Sequence, residues 1–378
     1  MPRRLNGEGS IKERSDGRFE AKIQIGSKPD GKPLMKSFYG KTKREAKQKL
    51  DDYLVLSQSG QKMELVTVEK YILNWLENVK KNELKPRSYD TLEYTVKTNI
   101  IDKIGYYGIS DLTSDIIQKE LINRMVSLNY SYSTIKKAYD AINACLMYAV
   151  ANKAIVYNPM QTVAKPSRKN FKEKEIEILT DNEVECLYKA AVAYGKHGHA
   201  IILMLYTGMR VAEAIGLKWS NFNEEDNILF IRNSVVLAKN RSEKKPAYSF
   251  VEQDTLKTKS GERKIYLSAK ALTAIKELRK LNYRGNQDGF MICTRNNTIL
   301  YPMNMQRTLD IILSKAGISH KGLHSLRHTF ASMLIRKGVD IKVVSELLGH
   351  SDVSFTYNTY VHIMDEQKKS AIKELDNL

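Results

Sequence analysis

Gly322-Leu323-His324-Ser325-Leu326-Arg327-His328 opens a stretch that continues through an apolar helical pattern to Leu347-Leu348-Gly349-His350 and closes on Thr359-Tyr360. The quoted pieces of this one short window therefore hold an Arg, three His and a Tyr. His324 and Arg327 are three apart and share a face on a helix. Asp340 is a ready N-cap for the next helix, and Gly349 a ready stop for it. His350 is then expected just beyond a helix end. Ser351 or Asp352 offers the cap for a further helix that carries Tyr360.

The segment upstream belongs to the same domain, expected over residues 175–378. Thr180 and Glu183 make a capping box at its start. Ile201 to Tyr206 reads as a buried helix running into Thr207-Gly208-Met209-Arg210-Val211-Ala212-Glu213. Ile228 to Val236 reads as a β-branched strand. Residues 239–250 read as a polar loop. Leu256 to Leu267 reads as a hairpin turning near Ser260-Gly261, with Lys257 and Lys259 on its first arm. From Ser268 onward the pattern is helical. The domain is thus mainly α with a small β-sheet.

Residues 64–165 carry a different period. Val68, Tyr71, Ile72, Trp75 and Leu76 form one helical stripe, and Pro86 suits the first turn of a second helix. Ile116, Ile117, Leu121 and Met125 mark a third helix, and Ile135 to Ala149 a long fourth. This is an all-α domain. Lys80, Lys81, Lys85, Arg87, Lys136 and Lys137 lie where they can touch phosphates; the plain alternative is a solvated helix surface. Residues 1–60 read as a small β-sheet plus a helix. Asp16-Gly17 and Pro29-Asp30-Gly31 are turn signals, Phe19 to Ile25 alternates, and Thr42 with Glu45 caps the helix. Its outward residues include Lys12, Arg14, Arg18, Lys22, Lys36 and Lys41. A basic sheet of this kind suits a DNA groove.

Bulk properties narrow the class. At 378 residues the chain is too long for one ordinary core. The formal net charge of +18 favours a polyanionic partner, nucleic acid first. The excess is spread along the chain, which suits a protein that wraps its ligand. No apolar run is long enough for a membrane span, and the N-terminus does not read as a signal peptide. Cys145, Cys186 and Cys293 are odd in number and far apart, as expected of a reduced, cytoplasmic protein with neither a disulfide frame nor a zinc site.

Taken by residue type alone, Arg210, Lys259, His324, Arg327, His350 and Tyr360 describe phosphoryl transfer. Two guanidinium groups present rigid forks of donors to a phosphate. A Lys or His can protonate a leaving alkoxide. A Tyr hydroxyl can attack phosphorus and form an ester. No carboxylate pair sits where a magnesium site needs one, and no P-loop is found, so neither metal nor ATP is expected. Each residue has a bland reading too: Arg210, for example, can simply pair with Glu213 one turn on. The whole ordered set in one domain is harder to explain that way.

These pieces resemble the tyrosine recombinases, specifically the phage and mobile-element integrases. The resemblance rests on residues 207–213, the Lys-bearing segment, Gly322 to Ala331, Leu347 to Ser351, and Thr359-Tyr360 with Val361-His362 after it. It implies that Arg210 is the first catalytic Arg and Glu213 its acidic neighbour. The hairpin Lys falls best on Lys259, with Lys257 two residues away. His324 and Arg327 form the His-x-x-Arg pair, His350 is the third His, and Tyr360 is the nucleophile; Tyr357 lacks the Thr-Tyr step. It also implies double-stranded DNA at core and arm sites, four protomers acting through a Holliday junction, an excision factor and a host DNA-bending protein. Asp365 to Leu378, with Ala371, Ile372 and Leu375 on one face, is expected to dock on its own domain or on a neighbouring protomer. Two other readings fit parts of the pattern. A type IB topoisomerase uses similar chemistry, and a DNA-binding regulator would carry the domain without the activity.

Overall fold

The computed structural model describes residues 10–14, 17–27, 33–58, 66–171, 176–241, 247–254, 262–281, 289–361 and 372. Lys257, Lys259 and, apart from Ile372, the segment after Val361 lie outside the described residues. The chain divides into two compact units, Met1–Lys172 and Glu173–Leu378.

The first unit begins with an antiparallel sheet, β1 (Ser10–Glu13), β2 (Phe19–Ser27) and β3 (Pro33–Gly40), in that order. Alternation in β2 puts Ala21 and Ile23 on one face, where Ala46 and Leu50 of the helix Lys43–Gln58 cover them. Thr42 Oγ1 accepts from the Glu45 amide, as its capping role requires; the Glu45 carboxylate reaches past it to the Lys41 amide at 2.8 Å. Lys12, Arg14 and Arg18 are exposed, and Lys22 is paired with Glu20 at 3.1 Å. Lys36 departs from its expected outward position. It stands opposite Ile23, on the register of the covered face, and its ammonium bonds the Asp111 carboxylate.

The helical part of this unit forms four rods, 68–83, 86–104, 114–127 and 132–151, each capped by the residue type its sequence offers. Thr67 and Ser131 accept from the amides of Lys70 and Thr134, and Pro86 occupies a first turn. Three rods widen into π-type turns, at Leu76–Lys80, Thr95–Ile101 and Ile117–Asn123. The apolar stripes meet in one core that includes Ile72, Trp75, Ile100, Leu121, Ile135 and Ile142. Lys80, Lys81 and Lys136 each make a helix ion pair, with Glu83, Glu77 and Asp140, while Lys85, Arg87 and Lys137 are exposed.

The second unit is mostly helical. The helix Lys196–Thr207 runs through its main core, buried on nearly every side, between Asp181–Tyr194, Ala269–Lys280 and Pro302–Lys315. Two small sheets flank it: β4 (Phe222–Asn223), β5 (Ile228–Ile231) and β8 (Arg263–Tyr266) form one, and β6 (Asn233–Lys239) with β7 (Tyr248–Asp254) the other. This differs from the expected strands in two places. The run Ile228–Val236 breaks at Arg232 into two strands that belong to different sheets. Part of the expected polar loop is β7, and β8 pairs with β5. Hydrophobic alternation identifies a strand but not its partner, which is chosen by tertiary packing.

Three further helices finish the unit: His324–Arg336, Ile341–Leu348, and residues 353–361. They enclose a second, smaller core of Phe330, Ala331, Ile335, Val344, Leu348 and Tyr360. Among the described residues, no helix is long and apolar enough to cross a membrane.

Candidate active site

Local chemistry sets where each side chain starts. The buried helix stops at Gly208, whose φ of +63° is left-handed and whose missing Cβ would lie 2.4 Å from the Phe330 ring. Glycine is thus required here twice, by backbone and by space. The turn places Arg210 at the head of the short helix Val211–Ile215. Asp340 caps the helix Ile341–Leu348 by accepting from the Lys342 amide at 2.7 Å. Gly349 ends it in the left-handed conformation, and His350 follows. Asp352 accepts from the Ser354 amide at 2.8 Å and starts the helix that bears Tyr360.

The end of the helix Ile341–Leu348 is the organising point. A helix C-terminus leaves carbonyls without intrahelical partners. Here three consecutive ones are taken by arginines from three distant segments. Arg263 Nε donates to Leu347 O at 2.7 Å, an Arg327 terminal nitrogen to Leu348 O at 2.7 Å, and an Arg210 terminal nitrogen to Gly349 O at 3.2 Å. The negative end of the helix dipole favours cations at this place. Arg327 also donates to Gly208 O at 2.8 Å.

Glu213 sits between two of the arginines and is buried. Arg263 donates to both its oxygens, at 3.1 and 2.7 Å, and Arg210 donates to it through its side chain at 2.8 Å and its amide at 2.9 Å. Burial alone would raise this carboxyl. The hydrogen bonds and charge of Arg263, then those of Arg210, outweigh it and hold the pKa at about 2. The ordinary Arg210–Glu213 ion pair is thus present, and it leaves Arg210 its hydrogen bond to Gly349 O at the helix end. Arg327 is 2% exposed; burial, then the Arg210 charge, pushes it down to about 9, which leaves it protonated at neutral pH.

The imidazoles are all biased toward neutrality. His324 stands at the start of its helix with one side open to solvent; burial of the rest, then Arg327 and Arg210, lowers its pKa. His350 is pushed to about 4 by burial and then by Arg327 and Arg210. Its Nδ1 lies 2.7 Å from Thr356 Oγ1, and its ring meets Phe355 edge-on. Tyr360 is 1% exposed, and burial raises its pKa, with Arg327 opposing. Tyr357 is 41% exposed.

The described structure thus gathers Arg210, Glu213, Arg327, His350 and Gly349 around one helix end, with His324 at the rim and Tyr360 in the adjoining small core. Sequence reading missed Arg263, which lies four residues beyond Lys259 in the segment read as a hairpin. It also left His328 without a role, although the Tyr360 hydroxyl lies 2.8 Å from His328 Nδ1. The signal for Arg263 was present: a charged residue at an inward position of an alternating strand. Among the described residues, no group of three His, Cys, Asp or Glu side chains could hold a metal ion.

Comparison with known proteins agrees with this architecture. Residues 177–367 match the phage integrase family, and residues 67–126 match the phage integrase N-terminal SAM-like domain. A tyrosine recombinase XerC-like protein of Caldanaerobacter subterraneus subsp. tengcongensis is 30% identical over 95% of this chain and 96% of that protein. The transposase from transposon Tn916 of Enterococcus faecalis is 26% identical over 73% of this chain and 69% of its own length. Among solved structures, the Tn1549 transposon integrase in complex with transposon right end DNA superposes with a TM-score of 0.66 at 20% identity, covering 82% of this chain and 99% of that one. A lambda integrase tetramer bound to a Holliday junction gives 0.58 at 17% identity, covering 90% and 95%. The family match and the XerC-like relative place the chain in the class of DNA strand-transfer enzymes, the tyrosine recombinases, and the small sheet, helical region and mainly α unit are the fold of that class. The chain belongs to the phage integrase family. Its activity is site-specific recombination that integrates and excises a mobile element.

Proposed function

We propose that the helix end at Leu347–Gly349 is the seat of the scissile phosphate, and that Tyr360 attacks it. The observation that carries this reading is the convergence of Arg210 and Arg327 on adjacent carbonyls of that end, beside the small core that holds Tyr360. Each guanidinium has five donors, and the contacts to protein leave others for phosphate oxygens. Held in place before substrate arrives, they stabilise the extra negative charge of the transition state without reorganising. Glu213 and Arg263 position Arg210.

In the reaction, the Tyr360 oxygen bonds to phosphorus as the bond from phosphorus to the 5′ oxygen breaks. His324 takes the tyrosine proton, and Lys259 gives one to the departing 5′ oxygen. His350, whose Nδ1 is engaged by Thr356, presents Nε2 to a phosphate oxygen. The product is a 3′-phosphotyrosyl ester with a free 5′ hydroxyl. The ester keeps the bond energy, so the 5′ hydroxyl of another strand reverses the step onto a new partner. No cofactor enters.

The chain binds double-stranded DNA and works as a multimer. The finer reading is four protomers on two duplexes. Residues 64–165 and 175–378 hold the core site, and residues 1–60 bind arm sites through Lys12, Arg14, Arg18 and Lys22. An excision factor and a host DNA-bending protein complete the assembly. The deciding experiment uses a nicked duplex carrying the ends of the chain's own element. Wild type should form an SDS-stable covalent adduct, and Tyr360→Phe should bind the duplex and form none. An adduct that survives Tyr360→Phe would move the nucleophile elsewhere.

A further inference from the structure

The helix His324–Arg336 begins without a side-chain cap at Leu323. The opening N–H groups of a helix have no partner within it and must find one elsewhere. Here one is supplied by the helix Pro302–Lys315: Gln306 Oε1 accepts from the Leu323 amide at 2.9 Å, one residue before His324. The other end of the same group, Nε2, donates to Lys321 O at 3.1 Å and to Asp310 Oδ1, one turn along its own helix, at 2.8 Å. All three contacts agree on one orientation of the amide. An N–H needs an oxygen, while a carbonyl and a carboxylate need a donor, so Asp310 fixes which end of Gln306 faces Leu323. Gln306 thus clips the chain on both sides of Gly322, immediately ahead of His324.

We infer that Gln306 is a positioning residue: its side-chain amide sets the backbone from which His324 reaches the tyrosine, and so governs the proton removal proposed for His324. The inference rests on that role of His324. It is carried by a difference between the two site residues on this helix. Arg327 is buried, and its guanidinium donates to Gly208 O and Leu348 O at 2.8 and 2.7 Å, so those contacts hold it in place. His324 is exposed, and its ring meets His328 edge-on at 4.6 Å. Among the described residues, no hydrogen bond from its side chain is found. A ring held by packing alone follows its backbone, and that backbone starts at the clip. Proton transfer needs its heavy atoms within hydrogen-bond reach. A shift of about 1 Å in a reacting group can cost roughly 100-fold in rate.

The test measures covalent capture of the nicked duplex at saturating protein, in wild type, Gln306→Leu, His324→Ala and the double variant. Gln306→Leu removes both ends of the clip at nearly constant volume, and capture should slow roughly 10-fold. His324→Ala should slow it by roughly 10²-fold or more. The double variant should match His324→Ala within about twofold, because a clip that acts through the imidazole then has nothing left to position. If Gln306 served general stability, or acted through Arg327, the two losses would multiply instead, and that result would overturn the inference. So would capture by Gln306→Leu within about twofold of wild type. Capture by His324→Ala at the wild-type rate is a different failure: it removes His324 from the chemistry, and with it the reading beneath the inference. If Gln306→Leu does not fold, Gln306→Glu takes its place in the cycle. That carboxylate has the same shape, keeps the acceptor for Leu323 and loses both donor contacts, so the same slowing without multiplication is required.

Discussion

Arg263 grips Glu213 with two parallel hydrogen bonds, of 3.1 and 2.7 Å, and both side chains are buried. The pair makes the floor under Arg210. Because the same carboxylate also accepts from the Arg210 side chain and amide, it fixes one proposed phosphate-binding group by satisfying another arginine.

Removing that carboxylate charge should cost both stability and rate. Breaking a buried pair by changing one partner typically costs roughly 3–5 kcal/mol. Glu213→Gln is expected to lower the urea midpoint of the second unit by a corresponding amount at pH 7. The pH dependence has a definite sign. The folded carboxyl titrates at about 2, below its ordinary value of 4.5, so its stabilisation is complete above pH 4.5 and fades as pH falls through 2. Urea titrations of wild type and Glu213→Gln should therefore converge as pH falls from 5 toward 2. A gap that stays constant over that range would show that the charge of Glu213 contributes nothing.

Arg210 and Arg327 should not be replaceable by lysine. A point charge cannot make the forked contact with phosphate and helix carbonyls together. Arg210→Lys and Arg327→Lys are each expected to slow cleavage by roughly 10²–10³-fold, the usual loss for one transition-state donor. Single-turnover capture on the nicked duplex gives the rate directly. A near-normal rate in either variant would remove that residue from the proposed mechanism.

Tyr357 tests the choice between two tyrosines three residues apart. It is exposed while Tyr360 is buried, so accessibility alone would favour it. Tyr357→Phe should retain covalent capture within about threefold of wild type, as surface substitutions usually do. Loss of the adduct in this variant would transfer the nucleophile role.

The N-terminal sheet should act as a separate DNA reader. A fragment beginning at Met63 is expected to cleave core-site duplexes and to lose binding to arm sites. Binding by residues 1–60 should weaken steeply with added salt, since each phosphate contact releases counterions. Filter binding across a salt series measures this. Identical site preferences for fragment and full chain would show that the sheet has another use.

Much of this was readable from residues close together in sequence. The helix stop at Gly349, the caps at Thr180 and Asp340, and the His324–Arg327 spacing are local signals, and each is found in place. What was not readable depends on tertiary meeting points. His328 and Tyr360 are 32 residues apart, and Arg263 and Glu213 are 50 apart. Nothing in the period of either segment specifies such a partner. The partner of β8 was missed for the same reason, and so was Lys36, whose face depends on the register of β2 against β3.

The three arginines that end on Leu347, Leu348 and Gly349 come from positions 84, 21 and 139 residues away along the chain. Contacts of such long sequence separation are expensive to close and tend to form late in folding. A nascent or partly unfolded chain therefore has the tyrosine and the arginines but no place where they meet. The capacity to break a DNA strand appears only when the whole second unit is complete. On the proposed mechanism the geometry thus doubles as a safeguard, withholding strand breakage from folding intermediates and from fragments that lack part of the second unit.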